Sequence, residues 1–139
     1  MFQRILVPVD LTAKSLAAVD LAYDFAKQFK AEVILLHVIE TIEHVQFDDL
    51  KPFYDRLENS ARKGLREFSE RFVAEKMRVD QALVYGHRSK EIVDYAISNR
   101  VDLIVMASHR IDPDRPGHDW SSISYSVAIL SPCPVLLVK

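Results

Sequence analysis

The sequence predicts an α/β fold: a doubly wound, five-stranded parallel sheet in a single domain of 139 residues. Three observations predict it. Short apolar runs alternate with amphipathic segments of helical period from one end of the chain to the other. The runs, such as Ile5-Leu-Val-Pro-Val9 and Val33-Ile-Leu-Leu36, are continuous rather than alternating, the mark of strands covered on both faces. No linker, low-complexity segment or internal repeat interrupts the pattern, and the length suffices for a full core.

Strand one is the run from Ile5 to Val9. Thr12 then offers an N-cap for a helix over 13–29, with Ala18, Ala22, Phe25 and Phe29 on one face. Strand two covers 32–39. A loop leads to a long helix over 48–75, whose stripe of Leu50, Tyr54, Leu57, Ala61, Leu65, Phe68 and Phe72 faces the core. Gly64 lies beside that stripe, where close packing favours a residue without a side chain. Its charges Lys63, Glu67, Arg71 and Glu75 are spaced for i,i+4 pairs on a solvated face.

Strand three, 79–85, is shorter and more mixed, as an edge strand often is, and Gly86 ends it. A third helix covers 90–99 with Ile92, Ala96 and Ile97 inward. Strand four is 102–106. The segment 111–119 carries two prolines, three aspartates and one glycine and reads as a loop. Helix four runs over 121–130, with Ile123, Val127 and Leu130 on one face. Pro132 breaks it before the last strand, 135–138.

Right-handed crossovers restrict the topology, and strand order 3-2-1-4-5 is the doubly wound solution. Its switch point falls between strands one and four. A ligand crevice is therefore expected between the residues after Val9 and those after Met106, with Asp10 facing the turn from Ala107 to Arg110.

Composition excludes several classes. Hydrophobic residues make up 49% and charged residues 27%, with a formal net charge of −2, so no basic excess points to nucleic acid or an anionic membrane. No apolar run approaches the roughly 20 residues of a membrane span. The opening Met1-Phe-Gln-Arg-Ile5 enters a strand at once, without a signal-peptide pattern. The one cysteine, Cys133, excludes an internal disulfide and fits a cytoplasmic protein. It reads as a small buried residue between two prolines. There is no G-x-S-x-G elbow, Walker loop or G-x-G-x-x-G.

Taken in order, several segments resemble the universal stress protein family along the whole chain. They are Ile5-Leu-Val-Pro-Val-Asp10 with Ser15, Leu35-Leu-His-Val38, Gly86 followed by Glu91-Ile-Val-Asp-Tyr-Ala96, the run from Val101 to His109, and Pro132-Cys-Pro-Val-Leu-Leu-Val138. The resemblance implies a Rossmann-like, adenine-nucleotide alpha hydrolase-like fold and ATP or AMP as the ligand. In its nucleotide-binding members an aspartate after strand one, matched here by Asp10 beside Pro8, contacts the nucleotide or its metal. A backbone position near the end of strand two, matched by Val38, holds the adenine. The family's phosphate motif is G-x-x-G, about nine residues, then G-[S/T]. Here Ala107 and Arg110 stand at the first two glycines, with His109 between them. The closing pair falls on Trp120-Ser121 or on Ser121-Ser122, and neither register supplies a glycine.

Such glycines permit positive φ and close approach of the backbone to phosphate. Ala107 adds one methyl. Arg110 offers a guanidinium that binds phosphate in bidentate fashion. The lost closing glycine is harder to replace, although serines at the start of helix four keep hydroxyls and free N–H groups at its positive end. The expectation is a stress-response or signalling protein with a degenerate nucleotide pocket and weak or absent ATP binding. The competing expectation is an ATP- or AMP-binding switch built on Asp10, Val38 and the 107–110 turn. Both act by binding rather than catalysis, with slow ATP hydrolysis left open for the switch. Family members commonly dimerise through the last strand, and an apolar edge at Val135–Val138 supports a homodimer, with a further protein partner unspecified.

Other residues carry bland readings beside sharper ones. Asp10 equally reads as the residue capping the first turn, and His109 as a loop residue. His37 reads as a hydrogen-bonded core histidine. His118 with Asp112, Asp114 and Asp119 lacks the ligand spacing of a metal site. Trp120 is either a loop anchor, a lid on the crevice or a partner contact.

Overall fold

The computed structural model describes residues 1–110, 114 and 122–139. Five strands form one all-parallel sheet, ordered β3-β2-β1-β4-β5. The strands are β1 (Arg4–Pro8), β2 (Glu32–Glu40), β3 (Val79–Gly86), β4 (Leu103–Ala107) and β5 (Val135–Val138). The helices are α1 (Leu16–Phe29), α2 (Lys51–Ala74), α3 (Arg88–Ser98) and α4 (Ile123–Leu130). Short 3₁₀ turns, Ala13–Ser15 and Phe47–Leu50, lead into α1 and α2.

Alternate strand residues face opposite layers, so the sheet has two cores. On one side Ile5, Val7, Val33, Leu35, Leu103 and Val105 pack under α1 and α2, meeting Ala18, Val19, Ala22, Ala26, Leu65 and Phe72. On the other, Leu6, Ile34, Leu36, Ile104 and Met106 pack under α3 and α4, meeting Ile92, Ala96 and Val127. The small residues of α1 let its axis lie close to the sheet. Its Phe25 and Phe29 only flank the core, half-buried.

Several expectations from the sequence need correction. Helix two begins as a 3₁₀ turn and becomes α-helical at Lys51, with Pro52 in its first turn where a missing N–H costs nothing. Leu57 is exposed, although Tyr54 before it and Ala61 after it on the same helix are buried. Ile97 and Leu130 are also exposed, at 58% and 62%, while Ala96 and Val127 on the same helices are buried. Helix three starts at Arg88 rather than 90. Strand four runs through Ala107, which pairs with Val138 in the ladder rather than forming the turn. Cys133 is half-buried, its sulfur 3.5 Å from Ser131 Oγ. Arg71 does not pair along its own helix. Its guanidinium hydrogen-bonds Asp20 of α1 and lies 4.2 Å from the centre of the Tyr23 ring.

The edges match expectation: β3 pairs only with β2, and β5 only with β4. Gly86 ends β3 at φ 148°, and a Cβ there would lie 2.6 Å from Glu91 Oε1. Gly64 fits the close packing inferred for it, since a Cβ would lie 2.8 Å from Leu11 Cδ2. Among the described residues no helix is long and apolar enough to cross a membrane.

Candidate functional site

β1 and β4 are neighbours, but the chain leaves them toward opposite faces, β1 into α1 and β4 into α4. Their C-terminal ends therefore part and leave a crevice, as the topology requires. A cavity of about 610 Å³ occupies it. Its apolar lining comes from Pro8, Leu36, Val38, Ile92, Met106 and Ile123.

The turn after β1 is anchored to β2 at Val9 and otherwise closed by its own side chains. Val9 N–H donates to Leu36 O at 2.8 Å. Asp10 Oδ1 accepts from Thr12 N–H (2.9 Å), Thr12 Oγ (2.7 Å) and Ser15 Oγ (2.8 Å). Ser15 Oγ in turn accepts from Asp10 N–H at 3.0 Å. Among the described residues Asp10 Oδ2 has no protein partner. Thr12 caps the 3₁₀ turn, accepting from Lys14 N–H. Burial by itself would raise the Asp10 carboxyl. The hydrogen bonds from Thr12 and Ser15, with Arg88 nearby, outweigh it and hold the group below the ordinary carboxylate value. The side chain is a carboxylate, and a weak base.

Behind this turn His37 Nδ1 lies 2.8 Å from Val9 O, a geometry in which the ring nitrogen donates. Burial lowers the His37 pKa and outweighs the carbonyl and Asp10, which act to raise it, so the ring is neutral at pH 7. It is the hydrogen-bonded core histidine expected.

The turn after β4 is held by other elements. Ser108 N–H donates to Val138 O of β5 at 2.8 Å. The hydroxyls of Ser108 and Ser124 lie 2.8 Å apart, and Tyr125 OH donates to His109 O at 2.6 Å. Ser122 caps α4 by accepting from Tyr125 N–H at 3.4 Å, one residue later than the helix start read from the sequence.

Of the residues singled out from the sequence, Pro8, Asp10, Val38, Ala107, His109 and Ser122 all line this one cavity. Arg110 does not: it is exposed and absent from the lining. Ser121, Trp120, Asp112, His118 and Asp119 lie outside the described residues. Among the described residues no group of three or more His, Cys, Asp or Glu is placed to hold a metal. The sequence reading missed Lys14, Arg88 and Lys139, three cations in the lining. A lysine in a capped turn and an arginine opening a helix look like ordinary surface residues, and only the fold brings them to one opening.

The family model of the universal stress proteins matches residues 1–139. The chain belongs to the universal stress protein family. It is 32% identical over 149 residues to universal stress protein YxiE of Bacillus subtilis, with both chains covered in full. Among solved structures it is similar to universal stress protein UspA from Lactobacillus plantarum, with a TM-score of 0.78 and 25% identity over 99% of this chain and 98% of that one. It is also similar in fold to a universal stress protein in complex with cAMP, with a TM-score of 0.76 and 23% identity over 99% and 97% of the two chains.

Proposed function

We propose that this universal stress protein acts by binding, as a homodimer whose crevice takes an adenine nucleotide. The observation that carries the reading is the cavity itself. It lies at the switch point, joins an apolar floor to hydroxyls and cations, and is lined by six of the residues singled out from the sequence. The apolar lining of Leu36, Val38 and Ile92 suits a purine, and Ser108, Ser122 and the cations suit a phosphate. A cAMP complex of the same fold supports this choice of ligand. Asp10 with its lowered pKa is a poor general base, and His37 is turned to Val9, which favours binding over hydrolysis.

Calorimetric titration with ATP and with AMP tests the reading. Saturable binding at about 0.1 mM or tighter, some 5.5 kcal/mol of binding free energy, is the expected result. No heat at millimolar nucleotide would favour the second reading, a signalling dimer with a degenerate pocket. The missing glycines at Ala107 and Arg110 speak for that alternative.

The dimer is proposed through β5. This edge strand is four apolar residues, Val135–Val138, each half-buried within one chain. Just before it Ile129 and Leu130 are 81% and 62% exposed. An unprotected apolar edge of this kind rarely faces water, and a two-fold axis would pair it with its own copy. Light scattering should give twice the chain mass at micromolar concentration, and the double substitution Ile129→Glu, Leu130→Glu should halve it without unfolding the chain. A wild-type monomer would remove this part of the proposal.

A further inference from the structure

Charge and backbone point to different places for an anion in the cavity. The turn after β4 has no glycine, and Arg110 lies outside the lining. Lys14 and Arg88 are inside it, from the start of α1 and the start of α3. Among the described residues neither side chain makes a hydrogen bond or an ion pair. Both stand where a cation is disfavoured. Arg88 is the first residue of α3, and Lys14 sits in the turn that leads into α1. Helix N-termini carry partial positive charge, so an unneutralised cation there is destabilising.

The carboxylates nearby offset that charge only in part. Asp10 shares the cavity and attracts Arg88 through space but forms no ion pair with it, and its Oδ1 is taken by Thr12 and Ser15. Glu40 accepts only the Arg88 backbone N–H, at 3.5 Å, and Glu91 is folded over Gly86; neither lines the cavity. Lys139 adds a third cation, its ammonium 5.5 Å from the centre of the Tyr125 ring. An anion supplied from outside would complete the neutralisation.

We propose that Lys14 and Arg88 hold the phosphates of the bound ligand in place of a glycine-lined loop, and so make the crevice selective for the more highly charged nucleotide, ATP over AMP and adenosine. The guanidinium supplies a planar fork for two phosphate oxygens and the ammonium a movable point charge. This rests on the nucleotide reading of the cavity and adds to it the residues that set ligand charge.

The test is titration of the intact protein with ATP, AMP, adenosine and inorganic tripolyphosphate, at low and at physiological salt. ATP should bind at least about tenfold tighter than adenosine, and the difference should shrink with salt. Arg88→Gln and Lys14→Gln should each weaken ATP by about tenfold and leave adenosine unchanged, with the thermal melting of the free protein equal or slightly raised. Arg110→Gln should change neither. Full ATP affinity in Arg88→Gln and Lys14→Gln, or a loss carried by Arg110→Gln instead, would overturn the proposal. If no adenine compound binds, the nucleotide reading fails and tripolyphosphate decides the rest. Binding that needs Arg88 sustains the anion site, and no binding ends it.

Discussion

The two turns that frame the crevice are held in opposite ways. The turn after β1 is closed mainly from within: the hydrogen bonds of Asp10, Thr12 and Ser15 span at most five residues, and only Val9 at its base is tied to β2, through Leu36 and His37. The turn after β4 is closed from without, by Ser124 and Tyr125, each 16 residues from its partner, and by Val138 of the next strand. A local network forms with its own segment and depends little on the rest of the fold. A long-range one exists only after α4 and β5 have docked. The first turn should therefore behave as a rigid wall, and the second as the wall that moves with α4.

Substitutions can break this contrast. The largest effect is expected at Ser15, which is 2% exposed and both donates to and accepts from Asp10. Ser15→Ala should cost about 2–3 kcal/mol, since it leaves an amide and a carboxylate short of partners. Urea midpoints read this directly, and a cost below about 0.5 kcal/mol would show that the first turn does not depend on its local network.

Asp10→Ala should cost less, about 1–2 kcal/mol, because its carboxylate is partly solvated. It should also alter the acid limb. Asp10 has a folded pKa below 3.8, so its contribution is complete above that value and is lost as pH falls through the lowered one. Stability measured from pH 6 downward should thus fall less steeply below 3.8 in Asp10→Ala than in the wild type. His37 acts in a higher window by the same sign. Its folded pKa lies below 6.5, so stability falls as pH drops from 6.5 to the folded value, and His37→Gln should flatten that portion alone.

On the second turn, Ser124→Ala should cost about 1 kcal/mol, as it strands the Ser108 hydroxyl. Tyr125→Phe is the mildest, about 0.5–1 kcal/mol, since it removes one hydrogen bond to His109 O near solvent. Its sharper readout is amide exchange, which should quicken at Ser108 and leave Val9 protected. Equal quickening at both amides would mean that the two walls are one unit.

Most of the fold was legible in the chain because burial on both faces leaves a continuous apolar run, and burial on one leaves a helical stripe. Ile5 to Val9 and Val33 to Leu36 followed that rule, as did Tyr54, Ala61, Leu65 and Phe72 along α2, while Val135 to Val138 form the expected strand but are half-buried in one chain. Where the rule failed, an apolar residue keeps the sequence period yet is exposed: Leu57, Ile97 and Leu130. In the crevice the first turn was equally legible, since a Thr12 cap and an Asp10-to-Ser15 spacing are local signals. Arg88 was not, because nothing around His87-Arg-Ser-Lys90 states that the helix start faces Asp10 across β1 and β2.

The sequence by itself therefore determined the order of elements, the strand order and the place of the crevice, since periodicity, caps and the handedness of crossovers act through near neighbours and chain continuity. The tertiary structure alone decided which charges share that crevice. Lys14, Arg88 and Lys139 stand far apart in the chain, and electrostatics acts through space, so their meeting at one opening had no local signature.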